Sequence, residues 1–205
     1  TYITGHREFF GREFGVGRGV LVPRPETELL VELGIVELDT DPRAIVLEVG
    51  TGSGAVAVSI AAERPAATVI ATEVSVEAIA FARSNATRHT PGLLLLLGDL
   101  AAPVAHASVV LANLPYIPRW EIDALEPEVS KWEPRVALDG GVDGYELIRK
   151  LILDCASRLK PRLLALEVGF GQAEDVAGIL RAAGVEPWFV KDLAGIDRIV
   201  CCRWK

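Results

Sequence analysis

The chain has 205 residues, half of them hydrophobic and 24% charged, which is enough for one domain with a substantial core. Its formal net charge of −7 opposes the phosphate neutralisation on which tight nonspecific nucleic-acid binding depends. No apolar run approaches the roughly 20 residues that cross a bilayer. The cysteines (Cys155, Cys201, Cys202) form no CxxC pair and the histidines (His6, His89, His106) are scattered, so no metal centre and no disulfide framework is predicted. The odd cysteine count suits a reducing, cytoplasmic setting. Thr1 and the lack of any Met predict that the native N-terminus lies outside this chain.

Residues 1–22 read as a glycine-punctuated β-hairpin linker. Glu8-Phe9-Phe10 and Glu13-Phe14 are assigned to one arm, and Gly19-Val20-Leu21-Val22 to the other. The second unit spans 23–205. Pro23-Arg24-Pro25-Glu26-Thr27-Glu28 opens a helix, with Pro25 in its first turn and the acids at its positive end. Ala44 to Val49 is a continuous apolar run, as in a strand buried on both faces. A small-residue helix follows from Gly54 to Glu63, then a strand from Thr68 to Thr72. Ser75 caps the next helix. The five leucines Leu93 to Leu97 suit a buried strand, and Ser108 to Ala112 forms another. Asp143 is predicted to cap a long helix with Leu147, Ile148, Leu151 and Ile152 on one face. Leu163 to Val168 is a strand and Gln172 to Ala182 a helix. Trp188 to Val190 and Arg198 to Val200 form a terminal strand pair. Cys201 and Cys202, as neighbours on a strand, point to opposite faces. The alternation predicts an α/β fold: a doubly wound, mostly parallel sheet with helices on both faces.

Ligands in such sheets bind beyond the carboxyl ends of the strands. There Glu48-Val49-Gly50-Thr51-Gly52-Ser53-Gly54 joins a strand to a helix, and its glycines permit close approach of a ligand to the backbone. Such turns also occur with no ligand. The spacing is not the G-x-G-x-x-G of dinucleotide sites, and Glu48 would repel a pyrophosphate but tolerate a sulfonium cofactor carrying an ammonium group. Glu73, at the end of the next strand, is placed to accept both ribose hydroxyls of a nucleoside. Gly98-Asp99-Leu100 offers a carboxylate and an apolar side chain to an adenine. Asn113-Leu114-Pro115-Tyr116 follows a strand and could be a plain turn, since Asn and Pro favour turns. It could equally hold an –NH₂ group. The Asn113 oxygen accepts one N–H, the Leu114 carbonyl accepts the other, and Tyr116 stacks on a planar substrate.

Together these segments resemble the class I methyltransferases that act on planar nitrogen. The match extends to Tyr2-Ile3-Thr4-Gly5, Glu8-Phe9-Phe10-Gly11 and Val22-Pro23-Arg24-Pro25-Glu26-Thr27-Glu28. It also takes in Glu133-Pro134-Arg135, Ala137 to Gly141 with Asp143-Gly144, Leu166-Glu167-Val168-Gly169, and Asp192 to Gly195 with Asp197-Arg198. In this order they are similar to the peptide chain release factor N5-glutamine methyltransferases (PrmC/HemK). The resemblance implies a Rossmann-like seven-stranded sheet and methyl transfer from S-adenosyl-L-methionine to the glutamine amide of the Gly-Gly-Gln motif in release factors. It implies that Glu48, Gly50, Thr51, Gly52, Ser53, Gly54, Glu73, Asp99, Leu100 and Asn113 hold the cofactor, and that Asn113, Leu114, Pro115 and Tyr116 hold the glutamine. Arg24 and Glu26 are candidates for the cleft mouth or a salt-bridged helix start. Two departures stand out: Leu114 replaces the family's usual proline, and the small helical domain that precedes the hairpin in the family is missing from this chain.

The expected partner is therefore a release factor, with no stable nucleic-acid binding, no membrane and a monomeric state. The rival readings are an N6-adenine nucleic-acid methyltransferase, a non-catalytic S-adenosylmethionine-binding protein and a nicotinamide oxidoreductase. The net charge, the retained site residues and the glycine spacing count against them in turn.

Overall fold

The computed structural model describes residues 4–204, so Tyr2 and Ile3 of the opening motif lie outside it. The hairpin forms, but not with the predicted arms. β1 (His6–Phe9) pairs antiparallel with β2 (Arg12–Gly15), so both halves of the expected first arm face each other. The two-residue loop is Phe10-Gly11, both at positive φ (48° and 68°), the backbone that a tight primed turn requires. Gly19 to Val22 belongs to no strand. Phe9 and Phe14 meet edge to face at 6.0 Å and are buried in the main core. Asn85 then clamps the end of the hairpin, accepting from Gly15 N (2.8 Å) and donating to its carbonyl (3.0 Å).

After a 3-10 turn at Pro25–Thr27 come α1 (Glu28–Thr40), β3 (Ile45–Val49), α2 (Ala55–Glu63), β4 (Thr68–Glu73) and α3 (Val76–His89). β5 (Leu94–Leu97) and β6 (Val109–Ala112) follow, then an irregular stretch containing the short α4 (Pro127–Ser130). α5 (Glu146–Asp154), β7 (Leu163–Glu167), α6 (Ala173–Ala182), β8 (Trp188–Lys191) and β9 (Asp197–Cys202) complete the fold. The seven-stranded sheet has the order β5-β4-β3-β6-β7-β9-β8. Neighbours from β5 to β7 are parallel, whereas β9 runs antiparallel between β7 and β8.

Alternation along each central strand feeds two cores. Val46, Val109, Leu111, Ala165 and Cys201 pack with α1 and α2, while Leu47, Val110, Leu164, Leu166 and Cys202 pack with α5 and α6. The adjacent cysteines thus serve opposite faces. Burying each such aliphatic side chain contributes roughly 1.5–3 kcal/mol. Ser75 caps α3 as its position predicts, its Oγ accepting from Ala78 N at 3.1 Å.

Two expectations fail here. Leu93 to Leu97 is not a buried strand: β5 forms the sheet edge, and Leu94 and Leu97 are 51% and 56% exposed. An apolar run records β-propensity, not how many neighbours the strand will have. Asp143 does not cap α5 directly. Its Oδ1 accepts from Tyr145 N (3.1 Å) in a turn ahead of the helix, and its carboxylate pairs with Arg149. α5 itself lasts nine residues and ends in a π turn at Cys155–Leu159.

Candidate functional site

The order of the sheet reverses between β3 and β6, whose last residues, Val49 and Ala112, lie side by side. The glycine turn and the Asn113 segment therefore leave the sheet at one topological switch point, where α/β folds form ligand crevices. A cavity of about 470 Å³ opens there, within the range of small-molecule sites. Its wall includes Gly50 to Ser53, Glu73, Asp99, Leu100 and Asn113 to Pro115, together with Gly19 to Leu21.

The turn is shaped by Gly50, Gly52 and Gly54, all at positive φ (73°, 56° and 84°). Gly50 N and Thr51 N both donate to the Thr72 carbonyl, which ties the turn to the end of β4. Gly52 N donates to Glu73 Oε2 (2.8 Å), and Val74 N and Ser75 N donate to Oε1 (2.9 Å each). The Glu73 carboxylate is thus fixed by three backbone donors at the cavity wall. Glu48 is buried below the turn. Its Oε2 accepts from the Thr51 hydroxyl and from Ala57 N (2.9 Å), one of the free N–H groups opening α2. Burial pushes this carboxyl up to about 7, against those two hydrogen bonds, and Glu73 nearby pushes the same way. Leu100, at positive φ (46°), and Asp99 line the far end.

Of the four residues expected to hold a planar amide, three line the cavity and Tyr116 does not. The Asn113 side chain donates from Nδ2 to Thr27 Oγ1 (3.1 Å). Leu114 turns into the core, where its Cδ2 stands 3.2 Å from the place of a Cβ on Gly50. The Tyr116 ring packs over Gly169, 3.1 Å from where a Cβ there would stand. Burial and the nearby Glu167 raise its phenol above the ordinary range. Gln172 stitches the two loops together, donating to the Tyr116 carbonyl (2.9 Å) and accepting from Gly169 N (2.9 Å).

The stretch after Tyr116 leaves and returns. Ile117 N donates to the Leu138 carbonyl and Gly140 N to the Ile117 carbonyl, so residues 117–140 form a closed excursion. Two contacts fasten it across the cavity: Arg24 pairs with the buried Glu133, and Arg18 lies over Trp132 at 5.2 Å. Arg24 lines the cavity mouth and Glu26 does not. None of the lining residues is His, Cys or Lys, so the cavity wall carries no imidazole, thiol or amine.

A release factor glutamine methyltransferase of Geobacter sulfurreducens is 41% identical over 203 residues, a match covering 97% of this chain and 71% of that protein. The chain belongs to the release factor glutamine methyltransferase family. Relatives of the same name from Cereibacter sphaeroides (45% over 207 residues, 98% of this chain and 73% of theirs) and Staphylococcus aureus (33% over 210, 99% and 75%) agree. The Methyltransferase small domain matches residues 26–123. Among solved structures, the human METTL16 catalytic domain bound to an RNA hairpin superposes with a TM-score of 0.75 at 14% identity, covering 96% of this chain and 77% of that one. A Pyrococcus furiosus methyltransferase gives 0.66 at 20%, covering 94% and 89%. At such identities the likeness is one of fold, and the fold is that of class I methyltransferases.

Within this family frame, the motif reading passed over Thr27 and Glu167 as site residues. Glu167 is 3% exposed at the end of β7, with Oε2 buried and unpartnered. Burial pushes it up to about 7, opposed by the Thr27 hydroxyl and then by Arg198. The sequence did carry a signal: Glu167 closes the otherwise apolar β7, and an acid in that place is costly without a task.

Proposed function

We propose that the chain transfers a methyl group from S-adenosylmethionine to the side-chain amide nitrogen of a release factor glutamine, the Gly-Gly-Gln residue that the motifs imply. The observation that carries this reading is the Asn113 segment placed beside the glycine turn at the switch point, in a chain of this family. The cavity fits the cofactor chemically. The left-handed glycines put bare backbone at the wall, and Glu73 is held by backbone donors where ribose hydroxyls need an acceptor. Gly50 to Gly54, Glu73, Asp99 and Leu100 would hold it, with Glu48 beneath. When bound, it supplies an electrophilic methyl sulfonium.

The protein's own part is orientation. Asn113 Oδ1 and the Leu114 carbonyl accept the two N–H groups of the amide, while the Tyr116 ring packs on Gly169 and steadies the loop that carries them. Positive charge grows on the nitrogen during transfer, so these two acceptors stabilise the transition state more than the ground state. The nitrogen's proton leaves to solvent. We also take residues 1–22 as a linker docked on a catalytic domain, 23–205, and the chain as a cytoplasmic monomer without stable nucleic-acid binding. The net charge supports the last point. Among the described residues no helix is long and apolar enough to cross a membrane.

The test is incubation with labelled S-adenosylmethionine and a release factor, followed by mass spectrometry of the Gly-Gly-Gln peptide. Asn113→Ala should lower turnover about 100-fold while cofactor affinity holds. A release factor with Gln→Ala should stay unlabelled. Near-parental turnover in Asn113→Ala would remove the clamp.

A further inference from the structure

Asn85 is an amide within α3 and is 3% exposed. A side-chain amide has an acceptor oxygen and two N–H donors, and burying it is costly unless they are paired. Here they are paired with two distant pieces of chain. Oδ1 accepts from Gly15 N (2.8 Å), while Nδ2 donates to the Gly15 carbonyl (3.0 Å) and to the Ser53 carbonyl in the glycine turn (2.8 Å). One side chain thus holds the end of the hairpin to the turn at Gly50 to Gly54. The chain that continues from Gly15 stays on the same surface. A Cβ on Gly17 would stand 2.9 Å from the Phe81 ring, and one on Gly19 would stand 3.0 Å from Glu77 Cβ. Glu77, Phe81 and Asn85 are spaced four residues apart, on one face of α3. Val16 and Val20 are buried with Ala78 of the same helix. Val20 also reaches the turn, its Cγ2 lying 3.9 Å from the place of a Cβ on Gly52. Gly19, Val20 and Leu21 then line the cavity. A ligand that fills the cavity meets the glycine turn and this segment together, so it binds best when the segment is docked.

We propose that Asn85 is a positioning residue that makes the N-terminal hairpin part of the cofactor site, so that cofactor binding and hairpin docking strengthen each other. The inference rests on the cofactor reading of the cavity and not on the glutamine clamp. Linkage makes the effect reciprocal: whatever docking adds to affinity, the cofactor returns as protection of the hairpin.

Amide hydrogen exchange and calorimetric titration with S-adenosylhomocysteine test it. In the parent protein, saturation should slow exchange across residues 6–20 roughly tenfold, the Gly15 N–H included, and by more than it slows the remote edge strand β8. Asn85→Ala should bind the ligand roughly tenfold more weakly. At equal saturation its hairpin should gain no more protection than β8 does. A side chain that served stability alone would lower the melting temperature and leave both the affinity and the hairpin's response to ligand as they were. A parent hairpin that responds no more than β8 overturns the proposal. So does Asn85→Ala with an affinity within about twofold of the parent's, or with a hairpin that still responds as the parent's does. If Asn85→Ala does not fold, the exchange experiment on the parent decides alone. A parent that fails to bind S-adenosylhomocysteine sinks the cofactor reading and the proposal with it, whereas binding without hairpin protection sinks the proposal alone.

Discussion

Glu48 and Glu167 hold protons more tightly folded than unfolded, since burial lifts each from an ordinary 4.5 to about 7. As pH rises past 4.5 the unfolded chain releases these protons first. Stability contributed by the protonated forms is therefore lost between about pH 4.5 and 7, then levels off. For Glu48→Gln, which keeps the acceptor for Thr51 and Ala57, the cofactor-free protein should melt higher than the parent at pH 8. The gain is up to about 3 kcal/mol and should vanish near pH 4 in thermal scans. A gain that persists at pH 4 would assign the effect to packing. Leu114 teaches a second residue-scale lesson. Its motif position drew attention to the backbone carbonyl, yet its side chain is 4% exposed and belongs to the core. Leu114→Ala should cost roughly 2 kcal/mol or more by chemical denaturation. That burial was illegible in the sequence because its partner, Gly50, is remote along the chain and close only after β3 and β6 pair.

The loops at the carboxyl ends of the strands are joined as closely as the strands themselves. A Cβ on Gly140 would stand 2.6 Å from the Gly144 carbonyl oxygen and 2.8 Å from that of Pro115, both backbone atoms that cannot swing aside. Gly140→Ala should therefore push the returning excursion off the Asn113 segment. We expect a fall in kcat/KM of about 100-fold with cofactor affinity largely retained, read by steady-state kinetics beside calorimetric titration. Retained kcat/KM would show that the excursion does not shape the clamp. At this scale most of the fold was legible. Strands β3, β6 and β7 announce themselves as largely apolar runs, and Ser75 marks the start of α3. Gly19 to Val22 was misread because an extended apolar segment looks like a strand until pairing is known. The turn at Phe10-Gly11 was missed because a phenylalanine at positive φ gives no sequence signal. In the site, the glycine turn and the Asn113 segment were visible as contiguous motifs. Thr27 was not, because it meets Asn113, 86 residues away, only once the turn before α1 packs against the end of β6.

Over the whole molecule, strand order is the property that sequence alone leaves open without the family resemblance. β9 is last along the chain, yet it is interior, pairing with β7 on one side and β8 on the other. β7 is buried along its entire length. Removing residues 188–205 should thus cost the cooperative transition and not merely a terminus. The truncated chain should show helical far-ultraviolet dichroism without a sharp melt and should self-associate through the bare edge of β7. A sharp, monomeric melt would show that the five parallel strands suffice. The same arrangement bears on how the chain is made. Synthesis runs from β1 toward β9, so the Glu48 turn and the Asn113 segment emerge early, while the sheet beside them stays open until β9 has cleared the ribosome. A catalyst proposed to modify a factor of translation termination thus closes its sheet only after both halves of its cleft have been made.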